Sequence, residues 1–246
     1  MPKTNREKAF RVVISEQIKE QLIEDIFHRR YKPGDKLVES ALAKELNVSQ
    51  TTVREALRTM IAMGFLESEP FKGITVRSFT RRDLWEVYTV RSTLESLSIR
   101  ELAPKITDEQ IQELEEIVDE MVEAGEDKDI PRRSMLNIEF HKALIRASGN
   151  KLILRLFDNL QFGSYSLMTG SLSPMDPVAI ASRHRELIDV LRKRDPDLAA
   201  KAIQEHIEGA GRPILEALEE DEEEQSRPDN GTFYQGSVHV SERDNS

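Results

Sequence analysis

The stretch VSQTTVREALRTMIAMGFLE, residues 48–67, joins a helical apolar period to an abrupt stop, and that pairing restricts the fold of everything around it. Val53, Leu57, Met60 and Ile61 recur at the spacing of one helix face, and Ser49 stands where an N-cap serine accepts a first-turn amide. Gly64 ends the pattern. Beyond it, 65–68 and 74–77 read as two short strands around the turn Glu69-Pro70-Phe71-Lys72-Gly73. Upstream, Ile14, Ile18, Leu22 and Ile26 fall four residues apart between charged positions. A turn follows at 31–35, then a short helix at 39–46 with Leu42, Ala43 and Leu46 inward. Helix, helix, turn, helix and hairpin is the order of a winged helix-turn-helix.

In such a module the helix after Ser49 turns Thr51, Glu55 and Arg58 outward, with Gln50, Thr52 and Arg54 on the flanks near its N-terminal end. That end enters a major groove, where arginine bonds guanine edges, glutamine reads adenine and threonine hydroxyls hold phosphates. Lys72 and Gly73 at the hairpin tip would reach the neighbouring backbone or minor groove. A merely solvated helical face has the same composition, so the preceding turn and the following hairpin are what favour DNA. Charge agrees with that choice. The whole chain carries a net −10, but residues 1–82 hold 16 Lys and Arg against 11 Asp and Glu, a net +5. Residues 83–246 hold 19 against 34, a net −15, so a basic head sits on an acidic body.

The rest of the chain reads as six helical stretches, 83–103, 107–124, 131–147, 150–169, 176–193 and 195–220, joined by short connections into an antiparallel all-α bundle. Thr107 with Gln110 forms a capping-box pattern, Asp195-Pro196 opens the last helix, and Ser148-Gly149-Asn150 is a stop. Gly209, Gly211 and Pro213 weaken that last helix and predict a kink. Three of the five histidines, His141, His184 and His206, fall on different helices of this bundle, and Asn137 precedes His141 by one turn. Converging, they would hold a divalent metal; apart, they are three unrelated core or surface histidines. With no cysteine in the chain, any metal must be held by nitrogen and oxygen.

Residues 26–76 resemble the DNA-binding domain of GntR-type bacterial transcription regulators through Pro33-Gly34, Leu37, Leu42-Ala43, Val48-Ser49, 53–57, Gly64, Pro70, Gly73 and Val76. The resemblance implies that Arg54 contacts DNA. Ser40 and Gln50 stand where the family often carries operator-contacting basic residues, and Arg29 where a helix-ending glycine is common. Residues 83–215 resemble the FCD effector domain of the FadR subfamily, through Asn137-x-x-Phe140-His141, Ser148-Gly149-Asn150, His184 and His206. Metal-binding members usually carry Asp at the position of Asn137. The resemblance thus implies a divalent site, zinc, nickel or manganese, at Asn137, His141, His184 and His206. It also implies a small organic acid as effector. Arg91 matches a frequent arginine of the first helix of that domain, where it either pairs a ligand carboxylate or bonds Glu95 one turn on.

Together these features predict a mainly α protein: a winged helix-turn-helix over 1–80, a helical FCD-type bundle for effector binding and dimerisation over 81–218, and a disordered acidic tail over 219–246. The expected function is ligand-responsive regulation by a cytoplasmic homodimer on a near-palindromic double-stranded DNA operator. No apolar run suits a membrane span and no signal-like segment opens the chain. The alternative is a metal-dependent hydrolase on the bundle, with the N-terminal module as an accessory.

Overall fold

The computed structural model describes residues 5–71, 73–170 and 173–226. Lys72 and the tail beyond 226 lie outside these described residues.

The N-terminal lobe runs α1 (Asn5–Phe27), β1 (Lys36–Leu37), α2 (Glu39–Glu45), α3 (Gln50–Ala62), β2 (Leu66–Glu69) and β3 (Gly73–Val76). The expected helices and hairpin are all present. Ser49 caps α3 by accepting the Thr52 amide at 3.2 Å. Val53, Leu57 and Met60 are fully buried against Ile18, Leu22 and Ile26 of α1. The sheet has a third strand that the sequence did not announce. β1 pairs antiparallel with β3, Leu37 opposite Ile74, giving the order β1-β3-β2. Two residues are too short to show an alternating period, so β1 exists through its partner. Arg29 has a φ of 58°, the left-handed conformation for which a glycine would be the relaxed choice.

The C-terminal lobe comprises α4 (Arg81–Leu102), a 3-10 turn (Ala103–Lys105), α5 (Asp108–Glu126), α6 (Ile130–Ser148), α7 (Lys151–Asn159), α8 (Phe162–Gly170), α9 (Pro177–Arg192) and α10 (Pro196–Ser226). Its caps at Thr107 and Asp195 follow the sequence, and Asn150, read there only as part of a stop, also caps α7. Thr107 and Gln110 close a reciprocal capping box, Asn150 accepts the Ile153 amide at 3.2 Å, and Asp195 accepts the Leu198 amide at 2.9 Å. α4 starts two residues earlier than expected because Thr80 and Asp83 make a further capping box.

Two expectations are corrected. The helix read over 150–169 is broken into α7 and α8 at Leu160 and Gln161, where Gln161 has a φ of 52°. The acidic segment expected to be disordered from 219 is helical as far as Ser226. The helix also continues through Pro213, and its glycines have a packing role. A Cβ on Gly209 would lie 2.4 Å from Arg183 Nη2, and one on Gly211 would lie 3.1 Å from the Tyr88 ring.

Each lobe has its own core, and α8 ties them together. Leu167 of α8 packs in the N-terminal core, while Phe162 and Tyr165 pack in the helical one. Gln161 donates to the carbonyls of Ile61 and Ala62 at the end of α3, at 3.4 and 3.0 Å, and accepts from Arg77 at 2.6 Å. Arg77 also lies over the Tyr165 ring, 5.2 Å from its centroid. Among the described residues no helix is long and apolar enough to cross a membrane.

Candidate functional site

Two regions carry chemistry. On the N-terminal lobe, Ser40, Gln50, Thr51, Arg54 and Arg58 are exposed around α2 and the first turns of α3. Thr52 is not among them. It is buried, and its hydroxyl lies 2.7 Å from Ser49 Oγ as part of the cap. Gly73 is half-buried at the start of β3 with a φ of 91°; Lys72 lies outside the described residues. Arg54 is not loose in solvent. Its Nε and Nη2 donate to Glu39 of α2 at 2.9 and 2.8 Å, so its fork is pre-aimed across the helix pair. The Arg54 hydrogen bond holds the Glu39 carboxyl below its usual range. Sequence reasoning missed Glu39, which lies fifteen residues from its partner.

The second region lies inside the helical lobe, where α4, α6, α8, α9 and α10 surround a small cavity. His141, His184 and His206 are all buried there, with one nitrogen of each within 4.8 Å of the others. The His184 and His206 rings are closest, 4.4 Å between centroids, and Phe140 packs edge-on against His184 at 4.8 Å. Burial pushes the pKa of His184 and of His206 well below the ordinary imidazole value, reinforced by the neighbouring histidines and Arg91. Burial and Arg91 lower that of His141 as well. All three rings are therefore neutral near pH 7 and have lone pairs to offer.

Neighbours fix where those lone pairs point. The Nδ1 of His141 donates to Glu95 Oε2 at 2.5 Å, which leaves Nε2 as a buried acceptor with no partner among the described residues. His184 Nδ1 donates to the Ala181 carbonyl at 3.0 Å, leaving Nε2 facing Asn137 Oδ1, also at 3.0 Å. That spacing suits adjacent ligands on a metal with bonds of about 2.0–2.2 Å, and the full triad is slightly wider than a sphere roughly 4 Å across. The donor set thus fits a divalent ion of the zinc, nickel or manganese type. Glu95 supplies the carboxylate behind a ligating histidine that such sites commonly have.

Arg91 lines the cavity, but its Nε is bonded to Glu95, the second of the two arrangements that the sequence allows. Burial opposes ionisation of Glu95, yet Arg91 and His141 together hold its carboxyl below the usual range. The guanidinium also stacks on Phe162, 3.8 Å from the ring centroid. Arg183 reaches the His206 carbonyl at 3.4 Å, and Arg185 pairs with Asp119 on the surface. Sequence reasoning missed Arg133, which also lines the cavity. The signal was present: Arg133, Asn137 and His141 are spaced four apart on one face of α6.

Two family models match the chain: bacterial regulatory proteins, gntR family, over residues 14–76, and the FCD domain over residues 86–209. A probable D-xylose utilization operon transcriptional repressor of Paenarthrobacter nicotinovorans is 30% identical over 197 residues, 80% of this chain and 87% of that protein. The gluconate operon transcriptional repressor of Bacillus licheniformis is 26% identical over 181 residues, 71% of this chain and 74% of that one. Among solved structures, Escherichia coli McbR/YncC superposes with a TM-score of 0.65 at 21% identity, over 85% of this chain and 98% of its own. A GntR regulator from Rhodococcus gives 0.66 at 23% identity, over 82% and 98%. At those identities the structural likeness is one of fold.

Proposed function

Because the chain belongs to the GntR family of bacterial transcription regulators and carries an FCD domain, we propose that it is a ligand-responsive regulator in which the helical lobe senses a small organic acid. On this reading it acts in the cytoplasm as a homodimer on a near-palindromic operator. Arg54, Gln50, Thr51 and Arg58 face the major groove, and the Gly73 hairpin lies along the neighbouring backbone. Ser40 flanks the same groove. A divalent metal held by Asn137, His141, His184 and His206 would polarise the effector's oxygen atoms; its electrophilicity is the chemistry it adds. The named relatives control sugar and sugar-acid operons, which suits an oxygen-rich acid as the signal.

The observation that carries the reading is Gln161. A single residue at the α7–α8 break bonds the carbonyl end of α3, and the next residue, Phe162, lies under Arg91 in the cavity wall. A change in the cavity therefore has a short physical route to the helix that would read DNA. A hydrolase is less well supported. No carboxylate lines the cavity among the described residues, and the nearest, Glu95, is occupied by Arg91 and His141. The deciding experiment selects binding sites from random duplex DNA and follows the enriched sequence by gel shift at several salt concentrations. A two-fold-related site with steep salt dependence supports the proposal, and no enrichment overturns it.

A further inference from the structure

Phe71 sits at the tip of the hairpin, between Glu69 and Gly73, which form the last pair of the β2–β3 ladder. Its side chain is completely exposed, more so than any other large apolar side chain among the described residues. Its backbone is left-handed as well, with a φ of 69°. The other non-glycine residues with that backbone among the described residues are Arg29, Asn47, Lys128, Gln161 and Arg194, all polar and each just past the end of a helix. Glycine or asparagine is the relaxed residue at such a turn position, and a large aromatic residue is the strained one. The hairpin thus gives up local stability to hold an apolar ring in water, where it packs on nothing.

The surroundings indicate what meets that ring. The strand order β1-β3-β2 puts opposite charges on the two edges of the sheet. Glu67 and Glu69 belong to the β2 edge, which phosphates would avoid. On the other edge is Lys36, exposed and paired with Thr75. Its side chain runs along the hairpin, since a Cβ on Gly73 would lie 3.0 Å from Lys36 Cε and 3.5 Å from its Nζ. Lys36 also stands three residues before Glu39, the residue that holds Arg54. The basic edge is therefore continuous with the face around α2 and α3, and the aromatic tip extends that face outward. All of it lies within the segment that the gntR family model matches.

We infer that Phe71 is an apolar wedge for DNA: with Lys36 on the flanking phosphates, the ring enters the minor groove beside each half-site and partly unstacks one base step. Apolar side chains inserted in this way kink the duplex, and the cost is least at flexible pyrimidine–purine steps such as TA and CA. A phenyl ring makes no hydrogen bond to a base edge, so it reads deformability and not the identity of a base pair. The operator then carries a preferred flexible step that no polar side chain touches. The inference rests on the operator-binding reading above and adds to it a specificity-determining residue and a bend in the DNA.

The test uses the full-length protein and the duplex enriched from random DNA, labelled with a dye at each end. Wild-type binding should bring the ends closer by energy transfer, for a kink of about 20–90°. A fluorescent adenine analogue placed at the flanking flexible step should brighten as it unstacks. Phe71→Gly should bind about tenfold more weakly, leave the duplex straighter and lose the preference for that step. Phe71→Leu keeps an apolar wedge and should recover most of the affinity and the bend. The salt dependence of Phe71→Gly should match the wild type, because no phosphate contact is lost, whereas Lys36→Met should lower the slope by about one per chain. The Tm of free Phe71→Gly should stay close to that of the wild type.

A Phe71→Gly protein with wild-type affinity and bend would overturn the inference and leave the operator reading standing, as would a straight duplex in the wild-type complex. A Tm several degrees lower in that variant would mark the ring as structural and overturn it too. An unchanged salt slope in Lys36→Met would remove the wing from the phosphates and with it the wedge. If no duplex is enriched, the operator reading itself fails and the inference falls with it.

Discussion

The side-chain amide of Gln161 donates to the carbonyl of Ala62 at 3.0 Å, joining the break between α7 and α8 to the end of α3. The last carbonyls of a helix have no partner within it, so a side chain that reaches them from another lobe satisfies what would otherwise be left to water. Gln161 does this from a left-handed backbone, with a φ of 52°. Alanine has the same backbone cost there, so Gln161→Ala reads the docking alone. Its expected penalty is about 1–2 kcal/mol, or a Tm fall of roughly 2–8 °C. The segment 77–80 between the lobes should also become several-fold more sensitive to limited proteolysis. Unchanged Tm and cleavage would mean that the contact does not hold the lobes together. Gly64→Ala should act in the same direction, since its Cβ would fall 2.6 Å from Gln161 Oε1.

Glu39 sets up a contrast on the DNA side. Arg54→Ala removes a guanidinium that Glu39 already orients, and operator affinity should fall by about 10- to 100-fold. Glu39→Gln keeps the arginine but weakens its fork and removes a negative charge from a surface that would face phosphates. Non-specific DNA binding should then strengthen while discrimination between operator and mismatched sites weakens. Gel shifts of both variants on operator and scrambled duplexes check this. A Glu39→Gln protein with undiminished discrimination would show that the pair does not aim Arg54.

What the sequence made legible here was whatever is local. Ser49, Thr107 and Asp195 each cap the helix that follows, because a cap needs only residues within one turn. The histidines could be named from their helical positions and their resemblance to a family, but their convergence depends on how α6, α9 and α10 cross. The features missed are long-range. β1 needs β3 to exist, Glu39 meets Arg54 across two helices, and the break at Gln161 is held by α3, about a hundred residues away. Thr52 shows the opposite limit. A helical wheel placed it on the flank, and the competing bond to Ser49 drew it inward.

The Asn137 amide oxygen, 3.0 Å from His184 Nε2, leads to a prediction about metal. Elemental mass spectrometry of the purified protein should find about one divalent ion per chain, lost in His184→Ala. Asn137→Asp adds a negative charge to an otherwise neutral donor set and should tighten binding by tenfold or more. A competition assay with a zinc-responsive dye measures both. Equal affinities in the wild type and Asn137→Asp would place residue 137 outside the coordination sphere.

The buried histidines also fix a pH dependence whose sign follows from their direction of shift. His141, His184 and His206 all have folded pKa values below the ordinary imidazole value, so between that value and the folded ones the unfolded chain binds more protons than the native protein. Stability from these groups is complete above about pH 6.5 and is lost as pH falls below it. Each histidine contributes a slope of up to about 1.4 kcal/mol per pH unit in that window. The Tm of metal-free protein should therefore drop steeply between pH 6.5 and 5, and His206→Gln should make that drop shallower by one proton. Urea denaturation across that range measures the slope directly. A Tm that stays flat down to pH 5 would mean that the cluster is reached by solvent and protonates without unfolding.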